Sequence, residues 1–535
     1  MDSLTKCKFL TKGSEMRTFY ILTFLFCSMR VWSANQPLNV SLMSEPRDLD
    51  PQLCSGNNET KVALNLFEGL VAKDPKSLKI VPSLSDSWKI SKDGKKLTFH
   101  LRDNIFWSDG IRVTAQDFVD SWIRLLTPET AAEFSAFGFH FKNGKDFYDG
   151  KIKDRSQLGF KAIDDSNLEI VLEYPTAYFL ALLAHPSMFP VPKRAIEKLG
   201  PKWSRPENII TNGPFLLSKW QTNQLIELKK NHKHWDAQNI KSEVINVRFV
   251  AKSDTEERMF RSGELDVTAQ VPIEKIPLWE KDTNGALQKH PYLGTYFYWL
   301  NVTHPPLDNP LVRRALNLAI DRTAITHKVT LVKQIEAQFF TPPGTGGFKP
   351  KSILPKDNSR VAEAKQLLAK AGFPGGKGLP KIELLYNTDE GHKKIAESVQ
   401  QMWKENLGVE VSLVNQEWKV LLDNQNLKNF TILRGGWIAD YNDPNSFLEM
   451  FTTGHTNNYV SWSNTKYDEI IKSAAKEINA TKRLALFQKA EDILLDELPI
   501  VPIYIYKRVY LKKNNVEGWF SNIEDYRTFK GVYLK

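Results

Sequence analysis

Beyond the first 35 residues, strand-like alternation and helix-like periodicity replace one another to the end of the chain, with no repeat, low-complexity tract or recognisable linker between them. That pattern constrains the fold more than any single motif. A chain of 535 residues is too long for one core, so two or three folding units are the minimum. Units without linkers must be interwoven, with segments distant in sequence returning to complete a common unit. A mixture of strand, turn, helix and strand points to α/β or α+β layers.

Local signals place the elements. In "KKLTFHL", Leu97, Phe99 and Leu101 alternate as in a half-buried strand. Thr114 and Asp117 have capping-box spacing before a helix whose face is Phe118, Trp122 and Leu125. "NLEIVLEYP" reads as another strand. Asn309 is an expected N-cap with Pro310 at the first helical position, followed by Leu311, Ala315, Leu318 and Ala319 at helical spacing. "AKQLLAKAGFPGGKG" reads as a helix stopped at Gly372 and Pro374, and "KRLALFQKAEDILLDELP" as one ended at Pro499. "VEVSLV" and "IVPIYIY" read as strands.

The N-terminus has the form of an export signal. Met16 and Arg17 precede the apolar run "FYILTFLFCSM", and "RVWSANQP" offers a small-residue cleavage site near Ser33 or Ala34. The apolar run is too short to span a bilayer. Residues 1–33 are therefore an expected signal peptide, with Met16 as an alternative start, and the product is expected in the periplasm. Acylation at Cys27 is the weaker reading, because Phe26 sits where a small residue belongs. Past the leader only Cys54 remains, so no intramolecular disulfide framework exists and stability must come from core size. The formal charge of +10 falls to about +7 without the leader, and its lysines and arginines are dispersed in pairs such as Lys229-Lys230. Dispersed charge is a solvated surface, so no nucleic-acid partner is expected.

Catalytic signatures are not apparent: His-Glu-x-x-His, Gly-x-Ser-x-Gly and a Cys paired with a His are missing. "GFPGGKG" imitates a phosphate loop with the wrong spacing and is expected to be a helix stop and a turn. No metal or cofactor is expected. A secreted peptidase is the weakest reading.

Taken in order, "TNGPFLLSKW", "RSGELDV", "TYFYWLN", "PLVRRALNLAIDR", "RGGWIADYNDPNSFLEMF" and "PIVPIYIY" resemble the oligopeptide-binding proteins of bacterial ABC importers, family 5 of the extracytoplasmic solute-binding proteins. The resemblance covers essentially the whole mature chain and is densest from Tyr386 to Met450. It implies an α/β, two-lobed periplasmic-binding-protein fold of the cluster C type with an additional small domain. The expected division is a split first domain (35–57, 193–293 and 508–535), a second domain (58–192) and an opposing lobe (294–507).

The resemblance also assigns roles. Asp440 would hold a ligand's α-ammonium and Arg434 its carboxylate, with Gly435 and Gly436 letting the backbone approach. His392 would meet the carboxylate of a longer ligand, and Trp418 would wall a side-chain pocket. Trp437 and Tyr441 belong to the same block, and Glu45, His185 and Tyr506 match cleft positions. A zwitterion buried between the two charges is tolerable because both its ends are paired. By composition alone, an Arg-Gly-Gly-Trp turn and an aspartate capping it are the competing explanation. Two positions depart from the family: Thr330 stands where relatives carry a lysine, and Trp299 replaces a cleft glutamate. The implied function is that of a receptor, a monomer without catalysis, which delivers short peptides to permease subunits in the inner membrane. A murein tripeptide receptor is the alternative, and an adhesin or peptide-holding chaperone is a third, non-transport reading.

Overall fold

The computed structural model describes residues 36–54, 56–352, 359–439 and 441–535, with the side chain of Lys419 left aside. The expected signal peptide with Met16, Cys27 and its cleavage site, and also Asp440, lie outside the described residues.

Three sheets organise the chain. In the first, the strands run in the order Leu38–Leu42, Val244–Phe249, Leu225–Lys230 and Phe215–Gln221. Its first pair is parallel, Leu38 facing Ile245, and joins segments some two hundred residues apart, the interweaving that missing linkers predict. The second sheet is antiparallel, in the order Ser85–Ile90, Lys96–Leu101, Asn167–Val171 and Phe160–Ala162. Leu97, Phe99 and Leu101 are buried on one face of it, as the alternation predicts. The third sheet has six strands in the order Ile335–Glu336, Ile500–Leu511, Leu287–Leu300, Ile432–Ile438, Ile382–Asn387 and Val411–Gln416.

The helix signals hold. Thr114 and Asp117 close a capping box on Ala115–Leu125. The Asn309 side chain accepts from Leu311 N at 2.9 Å to start Pro310–Leu318. Arg360–Lys370 ends just before Gly372, whose φ of 95° lies in the left-handed region that glycine adopts without a Cβ penalty. The phosphate-loop mimic is a single turn, Pro374–Gly376. Among the described residues no helix is long and apolar enough to cross a membrane, and Cys54 is a buried free thiol.

One apolar cluster runs under the first two sheets, and the six-stranded sheet carries a cluster on each face. Successive side chains of a strand point to opposite faces. Along Ile432–Ile438, Ile432 joins the cluster of Tyr296, Tyr298 and Tyr504, whereas Leu433 joins that of Phe297 and Trp299. Two antiparallel strands, Leu287–Leu300 and Ile500–Leu511, extend beyond the six-stranded sheet toward the first one. There Leu511 N donates to Thr268 Oγ1 at 2.8 Å. Their ladder breaks register between Pro291 and Thr295.

Candidate functional site

The strand Ile432–Ile438 positions the site. Tyr298 lies opposite Arg434 and Tyr296 opposite Gly436, so Arg434, Gly436 and Ile438 share a face with Tyr296, Tyr298 and, one strand further, Tyr504. The Arg434 guanidinium lies over the Tyr296 ring at 4.8 Å. Its Nη2 donates to Tyr506 Oη at 2.9 Å. Arg434 Nε and the hydroxyls of Tyr296 and Tyr298 are buried without a hydrogen-bond partner among the described residues. No carboxylate among those residues comes within ion-pair distance of Arg434. A buried cation with spare donors is costly unless an anion meets it.

His392 stands beside this group, its ring 5.5 Å from Tyr296. It occupies the first turn of helix Glu390–Leu407, where Asp389 caps by accepting from His392 N at 2.9 Å. Burial and the neighbouring Arg434, opposed by Asp389, hold the imidazole down to about 4. It is therefore neutral at pH 7 and able to donate or accept one hydrogen bond at each nitrogen according to its tautomer. Trp418 opens the helix Trp418–Asn426 after the neighbouring parallel strand and is 49% exposed. The strands ending before His392 and Trp418 run parallel, and ligands of such sheets bind outside the carboxyl ends of strands.

At the far end of the Arg434 strand a cavity of about 330 Å³ opens. Ile438 and Ala439 form one wall, and Tyr292 and Leu293 of the long strand another. Helix residues Thr60, Lys61 and Leu64, the loop residue His185, and Glu524, Asp525 and Tyr526 near the C-terminus complete most of the rest, with Lys73. Burial, and then Lys73, push His185 down to about 3, so its imidazole is neutral. Its Nδ1 accepts from Ser187 N at 3.2 Å, and its ring lies 4.6 Å from Phe134.

Charges gather behind this wall. Asp525 Oδ2 is 2.7 Å from Lys61 Nζ and 2.8 Å from Arg508 Nη2, while Oδ1 is 2.8 Å from Arg527 Nη2. Against the cost of burial, these three cations hold the Asp525 carboxyl well below the usual carboxylate range. Lys73 pairs with Glu524.

Several expected contacts need correction. Gly435 is buried on the opposite face from Arg434, and a Cβ there would lie 2.7 Å from Trp299 Nε1 and 3.0 Å from the Phe297 ring. It admits the protein's own aromatic rings, not a ligand. Gly436 does face the Arg434 side, but the atom it makes room for is Tyr506 Oη, 2.5 Å from a Cβ built there. Trp437 shares the Gly435 face, where its indole donates to Ser446 O at 2.6 Å. Tyr441 is buried in a parallel stack on Tyr178, with centroids 4.6 Å apart, and its hydroxyl donates to Glu449 at 3.0 Å. It joins two parts of the chain and does not line the cavity. The Glu45 carboxylate accepts from Trp220 Nε1 and from Asn223 N at 3.0 Å, tying down the turn between two strands of the first sheet, away from the cavity wall.

Trp299, the expected cleft substitution, is core filling against Phe297 at 4.7 Å and Phe451 at 5.7 Å. The Thr330 hydroxyl is spent internally on Gln334, at 2.6 Å. Residue-by-residue matching missed Lys61, Lys73, Tyr292, Tyr296 and Asp525. Tyr296 lay within the quoted "TYFYWLN" and could have been found by its alternation. Lys61 and Asp525 are 464 positions apart, and no local pattern couples them.

The family model of bacterial extracellular solute-binding proteins, family 5 (middle), matches residues 79–459. The periplasmic oligopeptide-binding protein OppA of Salmonella typhimurium is 40% identical, over 97% of this chain and 96% of its own length. YgiS of Escherichia coli, a periplasmic protein whose name proposes deoxycholate as ligand, is 38% identical over 97% of this chain and 99% of its own. The structure of the Escherichia coli murein tripeptide-binding protein MppA superposes with a TM-score of 0.82 at 37% identity, covering 94% of this chain and 99% of that one. The mixed α/β architecture expected from the sequence is thus that of the periplasmic peptide-binding proteins. By the span of the model match and by these identities, the chain belongs to family 5 of the bacterial extracellular solute-binding proteins.

Proposed function

We propose that this chain is the exported receptor of an ABC importer, a periplasmic monomer. It binds short peptides through their main chain and charged termini and delivers them, uncleaved, to permease subunits in the inner membrane. Arg434 takes the ligand's carboxylate. Asp440, which follows the cavity residue Ala439 in the chain, takes its ammonium. The observation that carries this reading is Arg434 itself, a cation with buried unpartnered Nε and no carboxylate within ion-pair distance among the described residues. It lies on the same strand face as Ile438 at the cavity wall. From Ile438 back to Arg434 the strand rises about 13 Å. That is the length of an extended tri- or tetrapeptide, at roughly 3.3–3.6 Å per residue.

In this reading the six-stranded sheet (294–507) is one lobe, and the units of 35–57, 58–192, 193–293 and 508–535 form the other. The broken ladder between Pro291 and Thr295 is where the crossing strands flex. Varied side chains are accepted because the main chain and termini supply most of the recognition. A murein tripeptide is the second reading, favoured by the close superposition on the Escherichia coli protein named for that ligand.

The test is calorimetry with trialanine, together with mass spectrometry of whatever co-purifies. Short peptides in the spectrum, and at least a tenfold loss of affinity in both Asp440→Ala and Arg434→Met, are expected, since a buried terminus would lose its partner. Wild-type affinity in both variants, or cleavage products in the peptide incubation, would overturn the reading.

A further inference from the structure

Among the described residues, the charge cluster behind the cavity beside Ala439 has a surplus of cations. Lys61, Lys73, Glu524 and Asp525 line the cavity, and Arg508 and Arg527 stand behind them, so four cations meet two carboxylates. Lys73 and Glu524 cancel as a pair. The surplus therefore falls on Asp525, which Arg508 and Arg527 already satisfy from the side away from the cavity. Those two arginines line a much smaller void, of about 30 Å³, on that side. Lys61 lines both spaces.

We propose that this cavity is an anion subsite in which Lys61, flanked by Lys73, receives an acidic side chain from the first or second residue of a bound peptide. The inference rests on the peptide reading and goes beyond it by naming a ligand chemistry. The position follows from the layout: the cavity lies next to Ala439, at the ammonium end of the ligand, whereas Arg434 holds the other end. Lys61 shares its one carboxylate with the two arginines. Burial pulls the lysine down to about 8, with Arg508 and Arg527 adding to the fall and Asp525 only partly opposing it. A carboxylate entering the cavity restores the balance with a charge-assisted bond, and a neutral amide of the same shape does not. A purely structural role for the cluster, pinning the C-terminal segment to the helix Asn57–Leu66, requires one or two of these cations and leaves the surplus unexplained.

The experiment is calorimetry of the full mature protein with isosteric pairs: Glu-Ala-Ala against Gln-Ala-Ala, Ala-Glu-Ala against Ala-Gln-Ala, and Ala-Ala-Glu against Ala-Ala-Gln. The expected result is a preference for Glu of tenfold or more at the first or second position and less than threefold at the third. Lys61→Gln leaves Asp525 with two arginines, so the fold is expected to survive. In that variant the preference drops below threefold while Gln peptides bind as before, and Lys61→Arg retains it. Should Lys61→Gln fail to fold, the wild-type pairs and Lys61→Arg still decide the matter. Equal affinity for Glu and Gln at both early positions, a preference confined to the third, or one that survives Lys61→Gln overturns the subsite and leaves the peptide receptor standing. Failure of every peptide to bind removes both.

Discussion

Gly436→Ala is the substitution whose consequence follows most directly from the geometry. A Cβ at that position lies 2.5 Å from Tyr506 Oη, and ordinary contact begins at 3.4 Å, so the hydroxyl must retreat by about 1 Å. The Arg434–Tyr506 bond, 2.9 Å long, then stretches past the limit of a hydrogen bond. Tyr506 is only partly buried and the displaced atom is its tip, so little strain is stored. The loss is chiefly that of a bond to a charged group, roughly 1.5–3 kcal/mol before water replaces part of it. Replacing a strand glycine also returns about 0.5–1 kcal/mol of backbone entropy, which leaves stability within about 1 kcal/mol of the wild type. Affinity has no such compensation, because Arg434 loses the contact that aims it. About tenfold weaker peptide binding is expected, equivalent to roughly 1.4 kcal/mol.

Gly435→Ala is the matched control. Its Cβ would press on Trp299 and Phe297 in a packed core, where overpacking costs about 1–3 kcal/mol. It is expected to lower the urea midpoint and leave the affinity of the folded fraction unchanged. Urea unfolding and calorimetry on both variants separate the two outcomes. Wild-type affinity in Gly436→Ala, or a loss of affinity confined to Gly435→Ala, would refute the assignment of the two glycines to opposite faces.

Two further outcomes concern stability. Burial raises the Glu491 carboxyl to about 8, against the hydrogen bonds from Phe340 N and Thr341 N that favour its charged form. The folded chain thus keeps a proton that the unfolded chain releases above about 4.5, so this residue costs stability as pH climbs from about 5 to about 8. Glu491→Gln should flatten the decline by roughly 1 kcal/mol per pH unit, and parallel wild-type and variant curves of urea stability would contradict the assignment. The stack of Tyr178 on Tyr441 should appear as a coupling of about 0.5–1.5 kcal/mol in a double-mutant cycle to alanine, and additive losses would show that the rings do not share energy.

Much of the secondary structure was legible in the sequence because its causes are local. The capping box at Thr114, the N-cap at Asn309, the stop at Gly372 and the alternation through Leu97, Phe99 and Leu101 depend on residues within a few positions of one another. Chain length and missing linkers were likewise sufficient to require interwoven units, and the ordered blocks sufficed for the family. The Arg434 block announced a site without saying which of its members face it.

That choice belonged to the tertiary structure. Arg434 and Gly436 face the tyrosines while Gly435 and Trp437 face the core, because the pairing of Tyr296 with Gly436 sets the parity of the whole strand, and a slip of one residue would invert it. Glu45 matched a cleft position, yet the hairpin folded back to claim its carboxylate, and Tyr441 went to a stack with a residue 263 positions earlier. The charged wall of the cavity is the extreme case. Lys61 lies in the helix Asn57–Leu66 and Asp525 ten residues from the C-terminus, and only the closing of the chain on itself brings their charges within 2.7 Å. Local patterning is written in neighbouring side chains, whereas electrostatic balance is a property of whatever groups the fold brings within a few ångströms.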